Sequence, residues 1–182
     1  MYGLVNEGIR QLVIRLAGVD TWEAMCREAG VEPEGFEPLC PYDDSLTLKL
    51  VQLTSEKLNL STDEVLTRYG HYWITYTAES GYGDLMRLFG GDLRTCLSNL
   101  NRMHAHMGAM MPALSPPRFI VEIPAEDHIV VHYHSNRTGL APMVTGLLQG
   151  LADKYGDTVA ITHTPRGTRS DHDEFLVQFI SA

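Results

Sequence analysis

The chain has little of what most function classes require. Its 182 residues contain no apolar run of about 18, the length a membrane-crossing helix needs. The opening Met1-Tyr2-Gly3-Leu4-Val5-Asn6-Glu7 lacks a basic stretch followed by an apolar one, so no secretory leader is expected and a cytoplasmic location is. Cysteine is scarce. Cys26, Cys40 and Cys96 are odd in number, far apart and without a CxxC pair, which argues against a disulfide framework and a cysteine-rich zinc site. Reduced, mostly buried thiols are expected. Basic residues are also few, 14 Lys and Arg against 23 Asp and Glu, and they form no run. A net charge of −9 repels phosphate backbones, so no nucleic-acid partner is expected. Gly81-Tyr82-Gly83 and Gly90-Gly91 match neither a P-loop nor a dinucleotide fingerprint. No kinase, cyclase or phosphodiesterase motif occurs, and a non-enzyme is expected.

What is present suits a globular domain with a sizeable core. Apolar residues make up 44% and charged residues 20%. The pattern changes near Ser115-Pro116-Pro117, helical before and strand-like after. Helices are expected at about Val5–Ala17, with Val5, Ile9, Leu12, Val13 and Leu16 at helical spacing, and from Asp20 or Thr21 to Gly30. More follow at Ser45–Leu58, after the capping box Ser61-Thr62-Asp63-Glu64, at Asp84–Phe89 and at Leu93–Met111, where Pro112 ends the helix. Strands are expected at Phe119–Ile123, His128–His134, Thr158–Thr164 and Phe175–Ile180, with a helix over Leu140–Tyr155. The fold class is therefore α+β. A helical part over about 1–114 precedes a four-stranded antiparallel sheet with a crossing helix over about 115–182.

Two constellations carry chemistry. Leu97, Leu100, His104, Met107 and Met111 share one helix face, while His106 turns away with Asn99 and Arg102. One imidazole in a Leu- and Met-lined wall suits an axial haem ligand, although the helix pattern alone favours a core or interface histidine. In Tyr133-His134-Ser135-Asn136-Arg137, an extended chain puts Tyr133, Ser135 and Arg137 on one side. All three donate hydrogen bonds, which suits a pair of carboxylates such as haem propionates, and equally a solvated strand end. A third group, His128, His132 and His134, offers His132 and His134 on one strand face as a zinc pair, with no clear carboxylate or cysteine nearby.

In order, Leu100-Asn101-Arg102-Met103-His104, Ser115-Pro116-Pro117-Arg118 and Tyr133-His134-Ser135-Asn136-Arg137 resemble the signature of the H-NOX family, the haem nitric oxide/oxygen binding domains. That family is related to the haem domain of soluble guanylate cyclase. Met1-Tyr2-Gly3-Leu4-Val5-Asn6, Thr21-Trp22-Glu23-Ala24, Gly81-Tyr82-Gly83-Asp84-Leu85 and Gly139-Leu140-Ala141-Pro142-Met143 extend the resemblance over essentially the whole chain, 1–182, as one domain.

The resemblance implies haem b (iron protoporphyrin IX) between the two parts. It implies His104 as the proximal iron ligand and Tyr133, Ser135 and Arg137 as propionate partners. Pro117 matches the proline that presses on and bends the haem. Oxygen-binding members carry a distal tyrosine early in the helix after the YxSxR triplet. Here Pro142-Met143 stand in that region, with no tyrosine until Tyr155. Val5, Ile9, Trp73, Met143 and Leu147 are the candidate distal wall. An apolar wall favours NO and CO over O₂, which gains from a hydrogen-bond donor. The implied function is a gas sensor for NO and CO, acting on a separate signalling histidine kinase or cyclic-di-GMP enzyme. The alternative is a haem or gas carrier without a signalling partner.

Overall fold

The computed structural model describes all residues except 80–82, 89, 112, 168–169 and 181–182; at 85, 86 and 110 it describes the backbone alone. The described residues form two compact units, Met1–Tyr69 and Gly70–Ala182. The expected roles of Pro112 as helix stop and of Phe89 as helix end, and the Gly81-Tyr82 part of the resemblance, lie outside the described residues.

The first unit is built on α1 (Gly3–Ala17), α2 (Val19–Ala29), α3 (Asp44–Leu58) and the first turns of α4 (Thr62–Thr77). Its core holds Ile9, Leu12, Val13, Trp22, Met25 and Leu50, the apolar stripes that the helical spacing marks out. One buried polar pair interrupts it. The Thr47 hydroxyl donates to Asn6 Oδ1 at 2.7 Å, satisfying an amide oxygen that burial otherwise leaves costly. The capping box forms: Glu64 N donates to Ser61 Oγ (3.2 Å) and Ser61 N to Glu64 Oε2 (2.8 Å). Neither Asp20 nor Thr21 caps α2. Gly18, at φ 83°, turns α1 directly into α2, so the helix has already begun by Val19, and the Thr21 hydroxyl instead bonds back to the Ala17 carbonyl. Cys26 and Cys96 are buried and Cys40 is exposed; all three are free thiols.

The second unit holds the rest of α4, α5 (Gly83–Leu88), α6 (Leu93–Ser98), α7 (Leu100–Met110), β1 (Arg118–Ala125), β2 (His128–His134), α8 (Ala141–Tyr155), β3 (Val159–Thr164) and β4 (Asp173–Phe179). The strands form one antiparallel sheet in the order β1-β2-β4-β3. Strand alternation turns Ile129, Val131 and Tyr133 of β2, and Asp173, Phe175 and Val177 of β4, to the buried side. Val144, Leu148, Leu151 and Ala152 of α8 join that core, together with Leu93, Cys96 and Leu97 of α6. Pro124 lies on the edge strand β1, where a missing N–H costs no inner ladder bond, beside a register shift between Glu122 and Ala125.

The single helix expected over Leu93–Met111 is two. Asp92 caps α6, its carboxylate accepting from Thr95 N at 2.8 Å. At Asn99 (φ −98°, ψ 1°) the helix breaks, with the Asn99 amide folded back onto the Thr95 carbonyl. An asparagine that bonds locally competes with the helix ladder. Leu97 therefore belongs to a different helix from His104.

Candidate functional site

His104 sits one turn into α7, and an amide from the same helix fixes its place against the sheet. Asn101 donates through Nδ2 to the Phe119 carbonyl and accepts from Phe119 N at 2.9 Å, pairing with β1 as a strand residue would. This places the His104 ring 5.8 Å from the Phe119 ring, centroid to centroid, tilted by 33°. Rings continue across the buried side of the sheet: Phe119 to Tyr133 (5.5 Å), Tyr133 to Phe175 (6.4 Å) and Phe175 to His163 (4.7 Å, stacked).

The state of the His104 imidazole follows from its surroundings. Burial pushes its pKa down from the ordinary 6.5, against the raising effect of the Pro117 backbone, so the neutral ring with a free lone pair is favoured. Its Nδ1 is buried and has no hydrogen-bond partner. With the Pro117 backbone as the one hydrogen-bonding group acting on the ring, a neutral His104 keeps a lone pair that can bind a metal. His106 is exposed on the opposite side of α7, with Arg102, as the spacing indicates.

The structure brings Tyr133, Ser135 and Arg137 together, but not along one strand. β2 ends at His134, and Ser135 Oγ accepts from Arg137 N at 3.0 Å, a serine turn that bends the chain. Tyr133 is buried; burial raises its phenol pKa, and a hydrogen bond with Ser135 works against that rise. Arg137 Nη1 donates to the Ser115 carbonyl at 2.8 Å, tying the triplet to the segment carrying Pro116 and Pro117. Pro117 is half-buried. Phenol, hydroxyl, guanidinium and the His104 ring are thus all tethered through Phe119 or Ser115.

Two supports of this site escaped the sequence reading. One is Asn101. The other lies beneath Ser135: buried Asp173 accepts from Arg166 Nε (3.0 Å), from Arg166 N (3.3 Å) and at His163 Nε2 (2.8 Å), while Arg166 Nη1 donates to the Ser135 carbonyl (3.2 Å). Burial would raise the Asp173 pKa, but the bonds from His163 and Arg166 outweigh it and hold the carboxyl below its ordinary value. The readable signal was a carboxylate in phase with Phe175 and Val177 on the inward face of β4.

Of the distal candidates, Trp73 on α4 and Met143 and Leu147 on α8 are half-buried in the second unit, and Trp73 and Leu147 pack on its core. A close helix approach places them. A Cβ on Gly70 would lie 2.1 Å from the Met143 carbonyl oxygen, so only glycine lets α4 and α8 meet there. Val5 and Ile9 are on α1 in the first unit, Ile9 buried and Val5 half-buried, with Tyr69 Oη donating to the Val5 carbonyl at 2.7 Å.

The model of the family described as haem-NO-binding matches residues 2–163. Soluble guanylate cyclase gcy-32 of Caenorhabditis elegans is 32% identical over all of this chain and 28% of its own length, and gcy-35 of the same organism is 29% identical over 99% and 27%. The chain therefore spans just over a quarter of those relatives. Among solved structures, an H-NOX protein from S. oneidensis in the Fe(II)NO ligation state has a TM-score of 0.89 at 20% identity, with the whole of both chains covered. An unliganded Fe(II) H-NOX protein from K. algicida has a TM-score of 0.85 at 20% identity over 100% of this chain and 97% of its own. They share the helical part and the four-stranded sheet. No described helix is long and apolar enough to cross a membrane. The chain belongs to the haem-NO-binding, or H-NOX, family.

Proposed function

We propose that residues 1–182 act as one haem-binding domain, with a helical part over 1–114 and a sheet-containing part over 115–182. In this reading it senses NO and CO, excludes O₂ and passes the signal to a separate protein in the cytoplasm. The observation that carries the reading is the buried, unpartnered Nδ1 of a neutral-favoured His104, in a chain of the haem-NO-binding family. The residues present fit haem b. His104 offers one uncharged nitrogen, and Tyr133, Ser135 and Arg137 gather phenol, hydroxyl and guanidinium donors suited to two propionates.

Haem iron, when bound, would supply the site for a diatomic gas. The chain's own residues would hold the group: His104 would offer its lone pair to the iron, Tyr133, Ser135 and Arg137 would hold the carboxylates, and Pro117 would press its rigid ring against the group. The candidate gas-binding wall of the second unit is Trp73, Met143 and Leu147, and the Met143 thioether offers no hydrogen-bond donor of the kind that would favour O₂; Val5 and Ile9 are the candidates on the first unit. The partner class is a signalling histidine kinase or a cyclic-di-GMP enzyme. In the curated relatives the matching region is about a quarter of a longer protein.

The visible spectrum of the reduced protein, then in air, then with NO, tests this. A ferrous haem spectrum unchanged by air and shifted by NO supports it, and His104→Ala should lose haem. A stable oxy spectrum would overturn the choice of gas, and the absence of a Soret band after reconstitution would overturn the haem assignment. Met143→Tyr should create an oxy form; no such form in that variant would remove Met143 from the wall.

A further inference from the structure

We propose that His132, His172 and Glu174 form a second metal site, for a divalent ion of the zinc class, on the back of the sheet. His132 and His134 occupy the positions of β2 that alternate with buried Val131 and Tyr133, so they lie on the face away from the core. Pairing with β4 supplies the partners that the sequence seemed to lack. His132 is directly opposite Glu174, and His172 comes just before β4. His132 Nδ1 lies 2.9 Å from His172 Nε2 and 3.6 Å from Glu174 Oε2. All three ligand atoms are within 4.8 Å of one another. Ligands at about 2.0–2.1 Å in a tetrahedral site stand roughly 3.4 Å apart, so small side-chain rotations close this set around one ion.

The proton arrangement argues for the ion. His172 Nδ1 lies 2.9 Å from Asp171 Oδ1 and donates to it, which in a neutral His172 leaves a lone pair on Nε2. His132 Nδ1 must then donate to that lone pair, and a neutral His132 is left with a second lone pair on Nε2. That atom is buried, has no hydrogen-bond partner, and faces the Glu122 carboxylate at 3.7 Å. A cation between Nδ1 of His132 and Nε2 of His172 removes the conflict. Both rings then turn their N–H outward, one to Glu122 and one to Asp171, the carboxylate–histidine–metal arrangement of zinc centres. His134, whose buried Nε2 also lacks a partner, packs its ring against His172 at 4.3 Å, tilted by 32°, and closes a further side. The competing explanation is one extra proton on the pair, on His132 between Glu122 and Glu174 or on His172 between Asp171 and His132.

The untagged, haem-reconstituted 182-residue chain, stripped with a chelator, is titrated with zinc chloride against a chromophoric competitor, and zinc per chain is counted separately from iron. A single zinc is expected, lost in His172→Ala and bound at least about tenfold more weakly in Glu174→Gln, the loss known when a metal centre is disturbed. His71→Gln, outside the cluster, keeps it. The Soret band and circular dichroism report that each variant is folded; if His172→Ala is not, Glu174→Gln decides. Unchanged affinity in Glu174→Gln, or no zinc on the wild-type chain, overturns the site in favour of the protonated histidine.

Discussion

Replacing Gly70 by alanine tests how tightly α4 and α8 are joined. The new methyl would lie 2.1 Å from the Met143 carbonyl oxygen and 2.9 Å from Leu147 N, where ordinary contact begins at 3.4 Å. Both obstacles are backbone, so no flexible side chain can yield and α8 must shift. Overpacking of this kind costs about 1–3 kcal/mol, and with backbone on two sides the upper end applies. Alanine returns about 1 kcal/mol of helix propensity. The net loss is about 2 kcal/mol, which for a chain of this size lowers the unfolding temperature by about 4–8 °C. Gly150→Ala is the graded companion. Its methyl would meet the His71 carbonyl oxygen at 2.9 Å and Ile74 Cγ1 at 3.0 Å, much milder overlaps, so its net cost is about 1 kcal/mol, below that of Gly70→Ala. Thermal unfolding followed by far-ultraviolet circular dichroism measures both. Gly70→Ala unfolding at or above the wild-type temperature would refute the close approach, and equal losses in the two variants would refute the grading.

Asn101→Ala removes both bonds to Phe119 and should cost about 1–2 kcal/mol in denaturant unfolding, with a shifted Soret maximum if the tie aligns His104. Asp173→Asn should flatten the acid limb of stability. The depressed Asp173 pKa means that its contribution is present above the ordinary 3.8 and lost as pH falls through the lower folded value. Wild-type and variant stabilities should therefore converge at low pH, and a constant difference would refute the role. Arg137→Ala frees the Ser115 carbonyl and removes a propionate partner, so haem should dissociate faster in a transfer assay while unfolding changes by about 1 kcal/mol or less.

Element identity was legible because periodicity and caps are local. The Ser61–Glu64 box, the Gly30 stop and the β2 alternation all lie within a few residues. His104 stood out because one polar residue on an apolar face is a local anomaly. What stayed hidden depends on chain distance. Asn101 acts on Phe119, Arg166 on Asp173 and the Ser135 carbonyl, and Asp171, His172 and Glu174 reach His132 and His134 only because β4 pairs with β2. The break at Asn99 was local but misread: unbroken apolar spacing from Leu97 to Met111 masks a side chain that competes for the helix bonds.

The Asn101 tie makes α7 a lever with a fulcrum near one end. At about 1.5 Å rise per residue, His104 stands roughly 4.5 Å from the fulcrum and Met111 roughly 15 Å. Were α7 to turn about that tie, a displacement at the imidazole would be about threefold larger at the C-cap residue Met111. Met111 is only 3% exposed, so any such turn would have to move a buried side chain.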